Sequence, residues 1–490
     1  MVSEYRPLPL AEAYPGLQLI KRSAPGYVEK LERVQTEARD FARRHIDPVA
    51  LSIDQRIAEQ PDYFPWDIAA HAAEYGYLSF ILPRMIGGGG QTSLAISILM
   101  EELSAHCAGI ANIIGAHSLG LAPLAAGGYD MLKYYRFLQD TVRGEHEGRP
   151  VLWAFAITEP SGGSDIEDAD EVDNIGSITQ ARRANGGYVI DGRKVFISNG
   201  SVARYISVYA AMDRTRPRES MIALVVPNDA PGFSVARVEH KMGQRACPAA
   251  ELAFEEVYVP DTHRLGAEGD GMVQMEGVLS VSRSPVGAIA TGIARGALER
   301  AWSYAANKPV GDHRLIEEQW VQMALADMAE EIHAARQAYY MSAMLLDLSN
   351  PLLALGISGR GGVGRLIDGM LCVVLNQAPM KALATQPAIN KAIAAHFSEK
   401  DEPSVYRSQH LRSAMASAAK MLGSDAAMSV SARALDIAGA DGSRHELGLE
   451  KCFRDAKLTQ IYEGTNEINR LNLYKRLSRL GQPASGGQGD

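Results

Sequence analysis

Cysteine and excess positive charge are what this sequence has least of. Its four cysteines, Cys107, Cys247, Cys372 and Cys452, lie far apart and form no CxxC pair. The sequence therefore predicts neither a metal site nor a redox dithiol, and reduced thiols in a reducing compartment are expected. The net charge of -9 excludes a general nucleic-acid-binding protein, because binding to phosphates needs a basic face.

Long uninterrupted apolar runs are also missing. No stretch reaches the ~18–20 apolar residues that cross a bilayer, and the best candidate, Met370–Leu375, is far too short. The N-terminus has no basic segment followed by an apolar run, which is the pattern of a signal peptide. The sequence therefore predicts no integral membrane segment and a cytoplasmic location.

The chain of 490 residues changes texture twice along its length. Residues 1–26 are rich in proline and predict an extended arm, and residues 27–150 have helical spacing of apolar residues. Residues 151–270 contain short apolar runs separated by proline, glycine and aspartate, as in an antiparallel sandwich or barrel. Residues 271–482 have wide apolar stripes at helical spacing, as in a packed bundle, and residues 483–490 predict a disordered tail.

The predicted fold class is therefore α+β, with an N-terminal all-α domain, a middle antiparallel β domain and a C-terminal α-helical bundle. In the first domain, a helix is predicted from the spacing of Val28, Leu31, Val34, Ala38 and Phe41. In the middle domain, the apolar runs Tyr188–Ile190 and Arg193–Ser198 flank Asp191-Gly192. Because Asp-Gly favours the positive φ angles of a two-residue turn, this pattern predicts a hairpin.

One glycine-rich segment matches a nucleotide-binding motif by its letters alone. Gly359–Gly364 reads G-x-G-x-x-G, but no carboxylate follows about twenty residues later, as a dinucleotide site requires. A loop is the better interpretation. It lies within about sixty residues, roughly 346–405, that we interpret as an insertion with a lid or intersubunit role; contact with a membrane or redox partner through Leu366–Leu375 is the other alternative.

Four further segments reinforce one another because they occur in a fixed order through the helical, β and helical regions. They are Ala154–Asp165, Gly192–Gly200, Met242–Pro260 and Arg454–Ile468. Together they closely resemble the acyl-CoA dehydrogenase family. The resemblance covers about residues 27–345 and 405–480, and it implies that the protein is a flavoprotein and an oxidoreductase that binds FAD between the β domain and the bundle.

The resemblance also implies which residues contact the cofactor. Thr158 and Ser198 match positions that hydrogen-bond to the flavin ring, and Ser164 matches a position near the phosphates. An aromatic and aliphatic wall with hydroxyl groups suits a planar ring with a polar edge, and glycines allow close approach of the backbone. The implied cofactor-binding residues in this part of the site are Phe155, Ile157, Thr158, Gly163, Ser164, Phe196, Ile197, Ser198, Thr465 and Glu467.

A second part of the implied FAD site is shared between subunits, since the family usually forms a homotetramer; a homodimer is the alternative. Gln319 matches a position that contacts the adenosine half, and Asp436, Gly439 and Ala440 match the pyrophosphate region. Two departures occur here. Asn307 replaces a usual arginine, for which Lys308 or Arg314 would substitute, and Asp436 replaces a usual glutamine, although a carboxylate facing phosphate is unfavourable.

The implied catalytic base is Glu463, in the stretch Ile461–Thr465. A thioester α-hydrogen is weakly acidic, so its removal needs a carboxylate against Cα and donors aimed at the carbonyl oxygen. By resemblance, those donors are the backbone N–H of Glu463 and a ribityl hydroxyl of FAD. Some branches of the family place the base at the position of Ser282, which cannot act as a carboxylate base, and Arg283 matches a basic residue near the active site.

The resemblance implies dehydrogenation of an acyl-CoA thioester to the trans-2-enoyl-CoA, in fatty acid or acyl-CoA catabolism. Electrons would pass to an electron-transfer flavoprotein or a similar acceptor. An acyl-CoA oxidase that uses O₂ and a non-catalytic flavin-binding scaffold of the same fold remain alternatives. The sequence does not reveal the acyl group.

Overall fold

Helices form both ends of the described chain, and a β-sheet forms its middle. The computed structural model describes residues 10–126, 134–168, 170–176, 178–349 and 409–480. The glycine-rich segment 359–364, Met370–Leu375, most of the predicted insertion and the tail from 483 lie outside these residues. The predicted α+β class, with helical, β and helical parts in that order, is confirmed.

The N-terminal part is a set of helices packed around one long helix. Val28, Leu31, Val34, Ala38 and Phe41 are all buried on one face of α3, as the spacing predicts. The helices are α1 (Leu10–Ala13), α2 (Pro15–Ser23), α3 (Pro25–Phe41), α4 (Ala50–Glu59), α5 (Trp66–Glu74), α6 (Ser93–Ala126) and α7 (Tyr135–His146), with a π-helical turn at Ala42–Ile46.

The expectation of an extended arm is wrong for its described residues, which form α1, α2 and the start of α3. Pro15 and Pro25 stand in the first turn of α2 and α3. A proline is tolerated there because its missing N–H has no helical partner to bond. Tyr14 is buried and stacks on Tyr340, with ring centroids 3.7 Å apart, so this segment packs on the C-terminal bundle.

The long helix α6 is the most apolar helix of the structure that is described. Its Ser93–Leu124 part is long and apolar enough to cross a bilayer, but 94% of its most apolar window is buried inside the protein. Glu101 and Glu102 interrupt the apolar run. For this reason α6 does not stand out in the sequence as a long uninterrupted apolar segment. The helix bends at Cys107, where φ is -158° and ψ is 109°.

The middle part is one mostly antiparallel sheet. Its strands follow the order β6-β7-β3-β2-β4-β5-β8, and β1 pairs in parallel with β4. One face packs on α6 and α9, as shown by the buried residues shared between them. The strands are β1 (Trp153–Ala156), β2 (Gln180–Ala184), β3 (Gly187–Ser198), β4 (Tyr205–Ala211), β5 (Met221–Pro227), β6 (Phe233–Val238), β7 (Ala249–Pro260) and β8 (Arg264–Leu265), with a short helix α8 (Pro217–Ser220) before β5.

The hairpin predicted at Asp191-Gly192 is wrong. Residues 187–198 form the single strand β3, and Gly192, with φ of 147°, lies at a bulge in its pairing with β7. A side chain at Gly192 would lie 2.7 Å from Thr179 Cα, so glycine serves close packing here rather than a turn. The hairpin turn is Asn185-Gly186, which joins β2 to β3 by a two-residue loop and is itself a strong hairpin signal.

The C-terminal bundle contains α9 (Gly271–Asn307), α10 (Gln319–Ser349), α11 (Gln409–Ala438), α12 (Leu449–Thr459) and α13 (Asn466–Leu480). Between α9 and α10 lies a small ladder of β9 (Pro309–Val310) and β10 (His313–Arg314). Helices α9 and α11 meet backbone to backbone. A Cβ at Gly287 would lie 2.6 Å from the Ala419 oxygen, and one at Gly423 would lie 2.5 Å from the Gly287 oxygen.

Because the α9–α11 contact leaves no room for a methyl group, Gly287→Ala is expected to lower the free energy of unfolding by about 2 kcal/mol, within the range for overpacking. Gly277→Ala is the control in the same helix, since a Cβ there meets nothing within 4 Å. It should stabilise by up to about 1 kcal/mol through helix propensity. Chemical denaturation checks both, and equal effects would contradict the contact.

Candidate active site

A large cavity lies where the three parts of the chain meet. Its volume is about 1410 Å³, and its wall includes α6, the segment after β1, the end of β3, α9 and the 461–465 loop. Small-molecule sites usually measure ~300–1,000 Å³, so this cavity is larger than a usual site for one small ligand. Of the predicted site residues, it is lined by Phe155, Ile157, Thr158, Gly163, Ser164, Phe196, Ile197, Ser198, Glu463 and Thr465, and also by Ser282.

Glu463 begins a turn with unusual backbone geometry. Glu463 and Gly464 have φ angles of 55° and 72°, and a positive φ is costly for a residue with a side chain. We call Glu463-Gly464-Thr465 the base turn. It connects α12 to α13, and because both helices pack in the bundle, the Glu463 side chain is directed into the cavity wall rather than to solvent.

Side chains from several elements hold the backbone of the base turn. Asn469 Nδ2 donates to the carbonyl oxygens of Glu463, Gly464 and Thr465, at 3.1, 2.9 and 3.0 Å. Lys420 Nζ, from α11, donates to the Gly464 oxygen at 2.8 Å, and Ser164 Oγ accepts from the Thr465 N–H at 3.2 Å. The unfavourable backbone angles are therefore held by contacts from the β part and the bundle.

Burial gives Glu463 an unusual ionisation. Loss of water and then the like charge of Glu167 raise the pKa of Glu463 to about 7. A hydrogen bond from Ser282 and the charges of Arg283 and Lys420 oppose this rise. Ser282 Oγ lies 2.7 Å from Glu463 Oε2, so the two positions at which a base was considered are in direct contact.

Three charged side chains, Glu167, Arg283 and Lys420, surround the base turn and form a cluster with Glu463. Arg283 Nη2 lies 3.1 Å from Glu167 Oε2, and both side chains are less than a tenth exposed. Arg283 therefore contacts a carboxylate beside the base. Burial raises the pKa of Glu167, and burial lowers the pKa of Lys420 to about 7. With two carboxylates and two cationic side chains, the cluster is formally neutral when all four are ionised.

The remaining cavity residues form a wall with an exposed aromatic ring. Phe196 lies at a bulge of β3, has a φ of 57°, and is 61% exposed although it lines a cavity. The Thr158 hydroxyl makes no hydrogen bond to another described residue, whereas Ser198 lies by Cys247. Ring surface and a hydroxyl group are thus available to a bound molecule.

Two residues that the sequence interpretation missed tie this wall together. Lys194 is fully buried, and its Nζ donates to the Ile157 oxygen at 2.8 Å and to Glu159 Oε1 at 2.5 Å. The Glu159 carboxylate also accepts from the backbone N–H of Thr179 at 3.0 Å. The two motifs that contain Thr158 and Phe196 are therefore joined by a buried ion pair. In the sequence, the only indication of this pair is that one motif contains acidic residues and the other contains basic residues.

Six predicted residues do not line the cavity: Arg283, which is buried against Glu167, and five others that are exposed. Gln319 begins α10, Asp436 lies in the last turn of α11, and Gly439 and Ala440 follow that helix. All four are exposed. Glu467, in the first turn of α13, has a side chain that is 80% exposed. The structure thus separates these residues from the cavity within one chain.

The basic residues considered in place of an arginine at position 307 have partners within the chain. Lys308 Nζ lies 2.7 Å from Asp441 Oδ2, and Arg314 Nη1 donates to the Asn307 oxygen at 2.8 Å. Asn307 itself donates to the Ser303 oxygen. Lys308 is therefore charge-compensated, and Arg314 is the more exposed of the two. No group of three or more metal-ligating side chains occurs in the part of the chain that the structure describes.

Glu167 and Lys420 were also missed by the sequence interpretation. Glu167 lies two residues after the Ser161–Asp165 motif, in an acidic run of a kind that is usually solvated. Lys420 lies in a helix with little charge. The only sequence feature that pointed to this cluster was Lys420 itself. An alanine-rich helix face is usually buried, and a lysine buried there needs a polar or charged partner. The partner cannot be read from the sequence, since it lies 44 residues away.

Comparison with known proteins gives matches along most of the chain. Profiles described as the N-terminal, middle and C-terminal domains of acyl-CoA dehydrogenase match residues 28–145, 154–257, and 269–357 with 382–478. The unmatched residues 358–381 fall within the predicted insertion.

Individual relatives match to a similar extent. An acyl-CoA dehydrogenase of Bacillus subtilis (strain 168) is 31% identical over 90% of this chain and 95% of that protein. A cyclohex-1-ene-1-carbonyl-CoA dehydrogenase of Geobacter metallireducens is 33% identical over 88% and 94%. The structure of butyryl-CoA dehydrogenase from Megasphaera elsdenii is similar with a TM-score of 0.71 and 25% identity, over 92% of this chain and 98% of that one.

The burial of Glu463 predicts a pH-dependent stability difference that needs no ligand. A raised pKa in the folded state means that Glu463 costs stability progressively between about pH 4.5 and pH 7, and by a constant amount above that. The gain in free energy of unfolding that Glu463→Gln gives over the native protein should therefore be larger at pH 8 than at pH 5, by about 3 kcal/mol at most. Denaturation at both values checks this, with the exposed Glu467→Gln as a control expected to show no such gain.

Proposed function

The chain belongs to the acyl-CoA dehydrogenase family, and on that premise we propose that Glu463 removes the α-proton of an acyl-CoA thioester while the β-hydride passes to FAD. The product is the trans-2-enoyl-CoA. The observation that carries this proposal is the base turn, where a carboxylate with a pKa near 7 lies in the wall of the cavity. A base is most effective when its pKa is close to the operating pH.

The backbone of the base turn also supports the proposal. The N–H of Glu463 makes no hydrogen bond to another residue that the structure describes, whereas the N–H of Thr465 is bonded to Ser164. An N–H next to the base that is not used by the fold can donate to the thioester oxygen as negative charge develops there. In this role Glu463 would provide both the base and one donor of the oxyanion site.

The cavity residues fit FAD as the resident cofactor, on which members of this family depend. Phe196 offers ring surface, and Thr158 offers a hydroxyl group that is not used within the fold. The Gly162–Gly163 backbone allows close approach of a ligand, since Gly163 has open space where a side chain would lie. When bound there, FAD supplies the two-electron acceptor. The volume, which exceeds that of a usual single-ligand site, leaves space for the acyl-thioester beside it.

We assign Phe155, Ile157, Thr158, Phe196, Ile197 and Ser198 to the ring, and Gly163, Ser164 and Thr465 to the region beyond it. Gln319, Asp436, Gly439 and Ala440, which are exposed in one chain, are assigned to a cofactor shared with a second subunit, and Glu467 to the edge of the same site. This assignment requires a homotetramer or a homodimer. Electron-transfer flavoprotein as the acceptor, and a cytoplasmic location, are likewise proposals from the family resemblance.

The acyl group is left open by the relatives, because the similar proteins include one named for a cyclic thioester and one named for butyryl-CoA. We therefore expect anaerobic mixing of the purified holoprotein with a panel of linear and cyclic acyl-CoAs to bleach the flavin absorbance for at least one. Free acids without the CoA are the control. If no thioester bleaches the flavin, dehydrogenation is wrong; if the reduced enzyme then makes peroxide rapidly from O₂, the oxidase alternative replaces the electron-transfer flavoprotein.

Glu463→Gln is expected to retain FAD and to lose bleaching by at least about 10³-fold, because an amide cannot accept the proton. In the native enzyme, kcat/KM should rise with pH through about 7, since the base acts in its ionised form. A Glu446→Gln variant serves as the control, because its side chain is exposed and does not line the cavity. Full activity of Glu463→Gln would rule out Glu463 as the base, and retained FAD without any activity in the native protein would favour the scaffold alternative.

A further inference from the structure

The loop that follows the glycine pair crosses from the β part to the bundle and contacts it on both sides of the base turn. We call residues 164–168 the clasp loop. Ser164 Oγ accepts from the Thr465 N–H at 3.2 Å. At its other end, Asp168 lies 2.9 Å from Lys475 Nζ of α13.

Glu167 is the buried carboxylate of the clasp loop, with a side chain that is 8% exposed. It lies directly against the base turn, because a Cβ added to Gly464 would be 2.7 Å from Glu167 Oε2. The Gly464 backbone N–H also hydrogen-bonds to it. Only glycine suits position 464, because its φ is 72° and because a side chain there would collide with the Glu167 carboxylate.

With Glu167 counted, side chains hold the polar backbone groups on both sides of Gly464. The N–H is held by Glu167, and the carbonyl oxygen is held by Lys420 and Asn469. Charge-assisted hydrogen bonds of this kind are stronger than neutral ones. The base turn, which has an unfavourable positive φ at Glu463, depends on these contacts to keep the Glu463 carboxylate at one place in the wall.

We propose that Glu167 is a positioning residue for the base, which holds the Gly464 backbone through its carboxylate and controls the charge state of Glu463 through its own negative charge. The catalytic part of this inference rests on the proposed function of Glu463. The contacts between Glu167 and the base turn do not depend on that function. The inference goes beyond the family resemblance, in which Glu167 carried no role.

The charged groups that face Glu463 define the expected effect. They are Glu167 from the clasp loop, Arg283 from α9 and Lys420 from α11, and the neutral Ser282 donates to it. The charge of Glu167 favours the protonated form of Glu463, and Glu167 also neutralises Arg283, which would otherwise favour the ionised form. Both effects act in the same direction.

A purely structural ion pair is the competing explanation. If the pair only tied the clasp loop to α9, and neither the charge of Glu167 nor that of Arg283 acted on Glu463, the loss of Glu167 would lower stability without changing the ionisation of Glu463. Glu167→Gln separates the two, because the amide oxygen still accepts from Gly464 and Arg283 while the charge is lost. Asp168→Asn is the matched control, since it removes the same charge one residue further along, where the partner is Lys475 rather than the base turn.

The ionisation of Glu463 can be measured without a substrate. The stability gained by Glu463→Gln should increase with pH and reach a plateau at the pKa of Glu463. We expect this plateau to begin about 1 pH unit lower in the Glu167→Gln background and to be unchanged in the Asp168→Asn background. Denaturation of the holoproteins from pH 5 to 9 provides the comparison.

The pH profile of kcat/KM gives the catalytic counterpart, with the same shift for Glu167→Gln and none for Asp168→Asn. If Glu167→Gln does not fold, Glu167→Asp withdraws the charge from the base and should give a smaller shift in the same direction. An unshifted plateau in the variant that folds overturns the proposal. If no acyl-CoA is turned over by the native enzyme, the proposed function fails, while the plateau still decides the role of Glu167.

Discussion

The removal of one carboxylate from water is the constraint on which the rest of this site depends. Glu463 is partly buried in the cavity wall, and a lone charge that is removed from water would cost several kcal/mol. The chain meets this cost partly by letting the pKa rise to about 7 and partly by bringing Arg283 and Lys420 close. Each contributing side chain comes from a different element, so the ionisation of the base depends on the packing of the whole bundle.

The same constraint explains why the site lies where three parts of the chain meet. The positive φ of Glu463 is costly unless surrounding contacts hold it. No single helix could supply both donors for the carbonyls of this turn and acceptors for its N–H groups. The β part contributes Ser164 and Glu167, whereas the bundle contributes Lys420 and Asn469. The site is thus complete only when the sheet is docked on the bundle.

Sequence patterns predicted the features that depend on local spacing or on a fixed motif. The α3 stripe from Val28 to Phe41 is buried, and the motif residues Thr158, Phe196 and Glu463 meet at one cavity. Local patterns gave wrong predictions where the same short sequence is compatible with two different structures. Asp191-Gly192 marks a bulge instead of a turn, and Pro15 begins a helix instead of preventing one.

What could not be predicted was the pairing of residues distant in sequence. Glu167 and Arg283 are 116 residues apart, and nothing near either residue indicates the other. A buried ion pair follows from the way helices and loops pack, so it becomes visible only with the fold. For the same reason the sequence indicated that Arg283 lies near the base but not which carboxylate it contacts.

The backbone contact between α9 and α11 has a further consequence for how this site can change. Helix α9 carries Ser282 and Arg283, helix α11 carries Lys420, and their separation at Gly287 and Gly423 is set by main-chain atoms alone. The identity of the charged side chains is therefore independent of the spacing between the helices that present them. New chemistry can be introduced at positions 282 or 420 while the scaffold keeps its dimensions, which makes this crossing a fixed frame for exchanging functional groups.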